Sequence, residues 1–135
     1  MTENEFIGTL KTYSYCRLKP SPISGIGVFA IRHIVKGINP MPEMRETEFV
    51  NVRKERLEDL SDELKKLVID MWPENDGVFE VPSYSLNEIG ISFYLNHSKT
   101  PNMDTNDGGD FYALRDIEPG EELTVDYGTY GELNL

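Results

Sequence analysis

Cysteine is almost missing from this chain, with only Cys16 among 135 residues. One thiol excludes an intramolecular disulfide and any zinc site built from several cysteines, which leaves Cys16 as a small, part-buried residue. Positive charge is also scarce. Lys and Arg together number 13 against 24 Asp and Glu, for a formal net charge of −11. That balance argues against direct nucleic-acid binding, which needs clustered Lys/Arg along a face, and it favours cationic partners drawn in by the summed field. Long apolar runs are lacking too. Val28-Phe29-Ala30-Ile31 is among the longest, far short of a membrane span. The opening Met1-Thr2-Glu3-Asn4-Glu5 is acidic and has no apolar segment of a secretory signal. The chain therefore reads as soluble and intracellular, cytoplasmic or nuclear, with no membrane partner.

What is present is enough to build a core. A hydrophobic fraction of 39% with 10% aromatics is too rich for a disordered acidic tail, and the length suits one domain. No internal repeat or low-complexity linker is visible. Short apolar segments bounded by turn residues predict strands at Tyr13–Leu18, Val28–Ile31, Phe79–Val81, Phe93–Leu95, Phe111–Leu114 and Leu123–Tyr127. Asn39-Pro40-Met41-Pro42 is excluded from helix by its two prolines. Between the strand-rich ends, Leu57, Leu60, Leu64, Leu67, Val68, Met71 and Trp72 recur at spacings of three and four, the period of an amphipathic helix. Ser61 is its candidate N-cap, Asp62 and Glu63 suit the positive end of its dipole, and Pro73 stops it. Strands, one helix and strands again predict a mostly-β α+β domain.

Three polar segments interrupt this pattern. Gly25-Ile26-Gly27 lacks the third glycine and following helix of a dinucleotide fingerprint and on its own reads as a turn. Asn96-His97-Ser98, with Pro101-Asn102 close behind, follows the apolar Phe93-Tyr94-Leu95. Polar groups entering a core this way need hydrogen-bond partners, either the protein's own backbone or a ligand. In Glu121-Glu122-Leu123-Thr124-Val125-Asp126-Tyr127-Gly128, alternation puts Leu123, Val125 and Tyr127 on one strand face. A hydrolase built on His97 with Asp104 or Asp126 finds no Gly-x-Ser-x-Gly elbow to support it.

Taken in order, Gly25-Ile26-Gly27-Val28-Phe29-Ala30, then Tyr94 to Asn102, then Ala113 to Gly128 resemble the SET domain, a family of S-adenosylmethionine-dependent protein-lysine methyltransferases. The resemblance implies a β-clip of several small twisted sheets. It also implies a C-terminal pseudoknot, where the Asn96-His97-Ser98 and Tyr127 segments cross, and one inserted helix. It implies a single minimal SET domain over 1–135 with its helical insert at about 53–72, and no cysteine-rich module before or after it. Ile26, Gly27, Asn96 and His97 would then bind the cofactor, and Tyr127 would touch it as the catalytic tyrosine. Tyr94, Tyr112 and Tyr130 are candidates for the wall of the lysine channel. S-adenosylhomocysteine would be the product, and no metal is expected.

Several positions depart from the family pattern. Lys99 stands where a cysteine is frequent, Asn39 to Met44 holds no tyrosine, and Asp104 and Thr105 occupy a commonly aromatic site. Two readings follow. One is methyl transfer to lysine in a basic, histone-like or other protein, by a monomer or homodimer. The other is a degenerate module that binds cofactor or basic peptide without turnover. Asp104, Asp107 and Asp110 lie close together, as a solvated turn or as a surface for a Lys/Arg-rich substrate.

Overall fold

The computed structural model describes residues 1–130. In chain order it comprises α1 (Glu3–Tyr13), β1 (Cys16–Pro20), β2 (Ile26–Ala30), β3 (Phe49–Arg53), α2 (Asp62–Met71), β4 (Glu74–Asn75) and β5 (Val78–Pro82). After these come β6 (Asn96–His97), β7 (Met103–Thr105), β8 (Phe111–Ala113) and β9 (Glu122–Val125). Short 3-10 turns at Lys54–Asp59, Leu86–Glu88, Ile91–Tyr94 and Tyr127–Tyr130 link them. The chain divides into two compact units, residues 1–44 with 91–126 and residues 45–90 with the chain from Tyr127. This is the β-rich assembly of small sheets that the sequence leads one to expect.

The first unit is built on a four-stranded sheet in the order β1-β2-β9-β6. β9 lies antiparallel to β2, with Val28 opposite Leu123 and Phe29 opposite Glu122. It lies parallel to β6, with Asn96 opposite Thr124 and His97 opposite Val125. Two sequence-distant segments therefore meet on one short strand. Val28, Ile34, Leu95, Met103, Ile117, Leu123 and Val125 form the buried apolar core of this unit. β7 and β8 make a hairpin whose loop is organised by Asn106, the Oδ1 of which accepts from the backbone N–H of Gly108 at 2.9 Å and of Asp110 at 3.0 Å. The acidic stretch is thus a hydrogen-bonded hairpin turn with Asp107 and Asp110 exposed.

Three local features differ from the strand assignments. Phe93 lies in the 3-10 turn Ile91–Tyr94, because β9 spans four residues and Asn96 and His97 already occupy its pairing edge. Tyr127 is off the strand for a related reason. Ser98 N–H donates to the Val125 carbonyl at 2.9 Å, the ladder ends there, and the chain coils into a 3-10 turn at Tyr127. α1 is a helix that the strand reading at Tyr13–Leu18 passes over. It opens on a capping box in which Thr2 and Glu5 bond each other's backbone N–H, and the Arg32 guanidinium donates to the carbonyls of Lys11 and Thr12 at its other end.

The second unit carries the helix anticipated from the leucine stripe. Ser61 Oγ accepts from Leu64 N–H at 3.3 Å, and the helix stops one residue before the extended Trp72 that precedes Pro73. Leu57, Val68, Trp72 and Phe79 are its buried apolar residues. β3, β5 and β4 form its sheet, and Asp76 and Gly77, both at positive φ (51° and 76°), turn β4 into β5. That pair of left-handed residues is what a two-residue hairpin turn of matching twist requires.

Candidate active site

Strand parity on the first unit's sheet determines which side chains meet. Residues directly opposite share a face, as do residues two apart on a strand. Phe29 faces Glu122 and Asn96 faces Thr124, so Gly27, Glu122, Thr124 and Asn96 all project to the same side. The consequence is a polar cluster at the β2 end of the sheet.

Asn96 is buried and its Nδ2 donates three ways: to the Ser24 carbonyl at 3.0 Å, to the Ile26 carbonyl at 3.4 Å and to Glu122 Oε2 at 2.8 Å. The half-buried Glu122 carboxylate also accepts from Ser21 Oγ, at 2.8 and 2.9 Å to its two oxygens. Ser21 Oγ in turn accepts from the backbone N–H of Ile23 at 3.0 Å, while Ser21 N–H closes the loop onto the Gly25 carbonyl at 2.8 Å. The loop Ser21–Gly25, the Asn96 amide and the Glu122 carboxylate are one network. A Cβ placed on Gly27 would lie 2.3 Å from Glu122 Oε2 and 3.1 Å from Asn96 Nδ2. Any side chain there would push the carboxylate from its present place.

Three oxygen acceptors surround the amide NH₂, so Asn96 must turn its Oδ1 elsewhere. Among the described residues no donor reaches that oxygen. Asn102, also buried, behaves differently. Its Nδ2 donates to the Glu122 carbonyl at 2.9 Å and its Oδ1 accepts from Thr124 N–H at 2.8 Å, so both ends of its amide hold β9 in place.

The remaining expected residues are distributed as follows. Ile26 opens β2 and is half-exposed, His97 sits on β6 with Nδ1 3.8 Å from Asp126 Oδ1, and Tyr94 is exposed in the turn ahead of Leu95. Tyr112 lies on β8 opposite Asp104. Tyr127 belongs to the second unit and follows β9 by two residues. Partial burial raises its phenol pKa above the usual 10.0, so the hydroxyl stays protonated at neutral pH. The side chain of Tyr130 lies outside the described structure. Cys16 is inert: burial pushes its thiol up to about 12.

The family model for the SET domain matches residues 25–128. The chain belongs to the SET-domain family. SET domains are generally protein methyltransferases. A comparison with curated proteins finds no match in sequence. Among solved structures, the chain is similar to the crystal structure of a Plasmodium falciparum "putative histone methyltransferase", with a TM-score of 0.51 and 22% identity. That similarity covers 85% of this chain and 94% of the other, and at such identity it supports the fold alone.

Ser21 and α1 precede the matched stretch, while Asn96, Glu122 and Tyr127 fall inside it. Glu122 and Ser21 are the members of this network that the sequence does not single out: Glu122 lies in the Glu121–Gly128 segment, but its hydrogen-bond partner Ser21 is 101 positions away. Among the described residues, no group of three or more His, Cys, Asp or Glu is placed to hold a metal ion. Nor is any described helix long and apolar enough to cross a membrane.

Proposed function

We propose that this SET domain transfers a methyl group from S-adenosylmethionine to the side-chain amine of lysine in a basic protein. The observation that carries the reading is the Asn96 amide. Its NH₂ is committed to the Ser24 and Ile26 carbonyls and to Glu122, and its Oδ1 is left as an acceptor next to the glycine-flanked start of β2. An open acceptor on a rigid amide suits the α-ammonium of a methionine moiety, and the bare backbone at Gly25, with open space beside it, suits close approach. The residues present fit the cofactor on these grounds.

In this reading Asn96 and His97 hold the cofactor through side chain and backbone, and Ile26 and Gly27 line its methionine end. When bound, the cofactor supplies an electrophilic methyl group on a sulfonium. The new bond is lysine Nζ to methyl carbon, and the broken one is methyl carbon to sulfur. The amine enters neutral, having already lost its proton to solvent, and carries the positive charge afterwards. Alignment of donor and acceptor is the main contribution asked of the protein, and it is worth at most about 7–11 kcal/mol. Tyr127 contributes a neutral hydroxyl that orients the amine and stabilises developing charge, not a base, since burial raises its pKa. Tyr94 and Tyr112 are the proposed aromatic wall, and the net charge of −11 favours a Lys/Arg-rich substrate.

The test is a radiolabelled methyl assay on basic protein substrates, paired with calorimetry of S-adenosylmethionine binding. Tyr127→Phe is expected to lower turnover by a factor of about 100 or more while cofactor affinity changes little. Full methyl transfer by that variant would refute the assignment of Tyr127. Cofactor binding with no transfer to any substrate would instead favour the non-catalytic module.

A further inference from the structure

We infer that Glu122 is a positioning residue for the cofactor site, acting through Asn96 and Ser21. The inference rests on the proposed use of S-adenosylmethionine and adds a residue to which that reading gave no role. An asparagine amide presents either a donor or an acceptor, depending on which way it is turned. At Asn96 the choice is made by its surroundings. The Ser24 carbonyl at 3.0 Å and Glu122 Oε2 at 2.8 Å both demand N–H. The flipped amide would point its oxygen at a carboxylate and a carbonyl. Removing the negative oxygen of Glu122 weakens that preference and lets Oδ1 turn away from the direction in which an ammonium needs an acceptor.

Glu122 acts on the loop by the same contacts. Ser21 Oγ donates to the carboxylate, and this leaves its lone pairs to receive Ile23 N–H at 3.0 Å and Ser24 N–H at 3.4 Å. The hydroxyl is therefore oriented by Glu122 and in turn shapes the loop that delivers Gly25 and Ile26 to β2. Gly27 is buried against the same carboxylate, so the acid is held from three sides. Glu122 uses its carboxylate on one loop serine and one amide, the two groups that set the shape and polarity of the cofactor end. Ser21 lies ahead of the stretch matched to the family, so this half of the clamp belongs to the chain's own N-terminal segment.

The experiment compares wild type with Glu122→Gln and the milder Ser21→Ala in three measurements: calorimetry of S-adenosylmethionine, steady-state methyl transfer, and amide exchange of Ile23 and Ser24 in the cofactor-free protein. Glu122→Gln is expected to raise the Kd and KM for S-adenosylmethionine ten-fold or more, with kcat at saturating cofactor changed less than about three-fold. Ser21→Ala should weaken binding by a smaller factor in the same direction. In both variants, exchange at Ile23 and Ser24 should accelerate at least ten-fold. Unchanged exchange would overturn the clamp, and faster exchange with wild-type cofactor affinity would overturn the positioning role. Loss of kcat in proportion to KM would mark a structural residue and also overturn it. If the wild type itself fails to bind S-adenosylmethionine, the functional reading falls and the positioning role falls with it, a result separable from every variant-specific outcome.

Discussion

Gly27→Ala tests the geometry of the cluster without reference to any ligand. The added methyl would sit 2.3 Å from Glu122 Oε2 and 2.9 Å from Glu122 Cδ, so the carboxylate must retreat by roughly an ångström to reach ordinary contact. Moving it that far lengthens and weakens the 2.8 Å bond from Asn96 Nδ2. Losing one hydrogen bond to a charged group costs about 1.5–3 kcal/mol, and water reaching the half-buried acid returns part of that. Replacing glycine within a strand gains roughly 0.5–1 kcal/mol through the unfolded chain. The net expectation is a loss of about 0.5–2 kcal/mol. In a Glu122→Ala background only Asn96 Nδ2, at 3.1 Å, still crowds the methyl, and the same substitution should cost less than about 0.5 kcal/mol. The coupling energy between the two sites is then about 0.5–1.5 kcal/mol. Urea denaturation of the four proteins of this cycle, followed by far-ultraviolet circular dichroism, measures it. Trp72 fluorescence is unsuitable, because that residue lies in the other unit. Equal costs in the two backgrounds, or a loss below about 0.5 kcal/mol in wild type, would refute the packing argument.

Three further outcomes follow from local features. Cys16, pushed up to about 12 by burial, should react with a disulfide reagent at pH 8 about a thousand-fold more slowly in the folded protein than in urea; comparable rates would contradict its burial. The Glu121 carboxyl is held below its ordinary value, first by the Arg115 guanidinium and then by Glu118 N–H. A lowered folded pKa adds stability above the unfolded value near 4.5 and loses it as pH falls through the folded one, so Glu121→Gln should be less stable than wild type at pH 7 and converge on it in acid. Parallel stability curves from pH 7 to pH 3 would exclude this linkage. Ser61→Ala removes the α2 N-cap and should cost about 1 kcal/mol, read as a lower urea midpoint with unchanged slope.

Much of the second unit is legible along the chain. The stripe from Leu57 to Trp72, the Ser61 cap and the Pro73 stop are local signals, and a helix satisfies its own backbone locally. α1 carries local signals of the same kind, with Thr2 and Glu5 three apart and Phe6, Leu10 and Tyr13 at helical spacing. The strand assignments at Phe93 and Tyr127 failed because an apolar residue's local pattern says nothing of whether a partner strand extends far enough to pair with it.

By itself, then, the order of the Gly25, Asn96 and Tyr127 segments determined the family, and the single cysteine excludes a zinc site built from several cysteines of these 135 residues. Tertiary structure alone decided what Asn96 does with its amide and why Gly27 is glycine. Both depend on β9 lying between β2 and β6 in one register, which brings Ser21, Asn96 and Glu122 within hydrogen-bond reach from three distant parts of the sequence. A one-residue slip would turn Glu122 to the other face of the sheet, and no local pattern specifies that register.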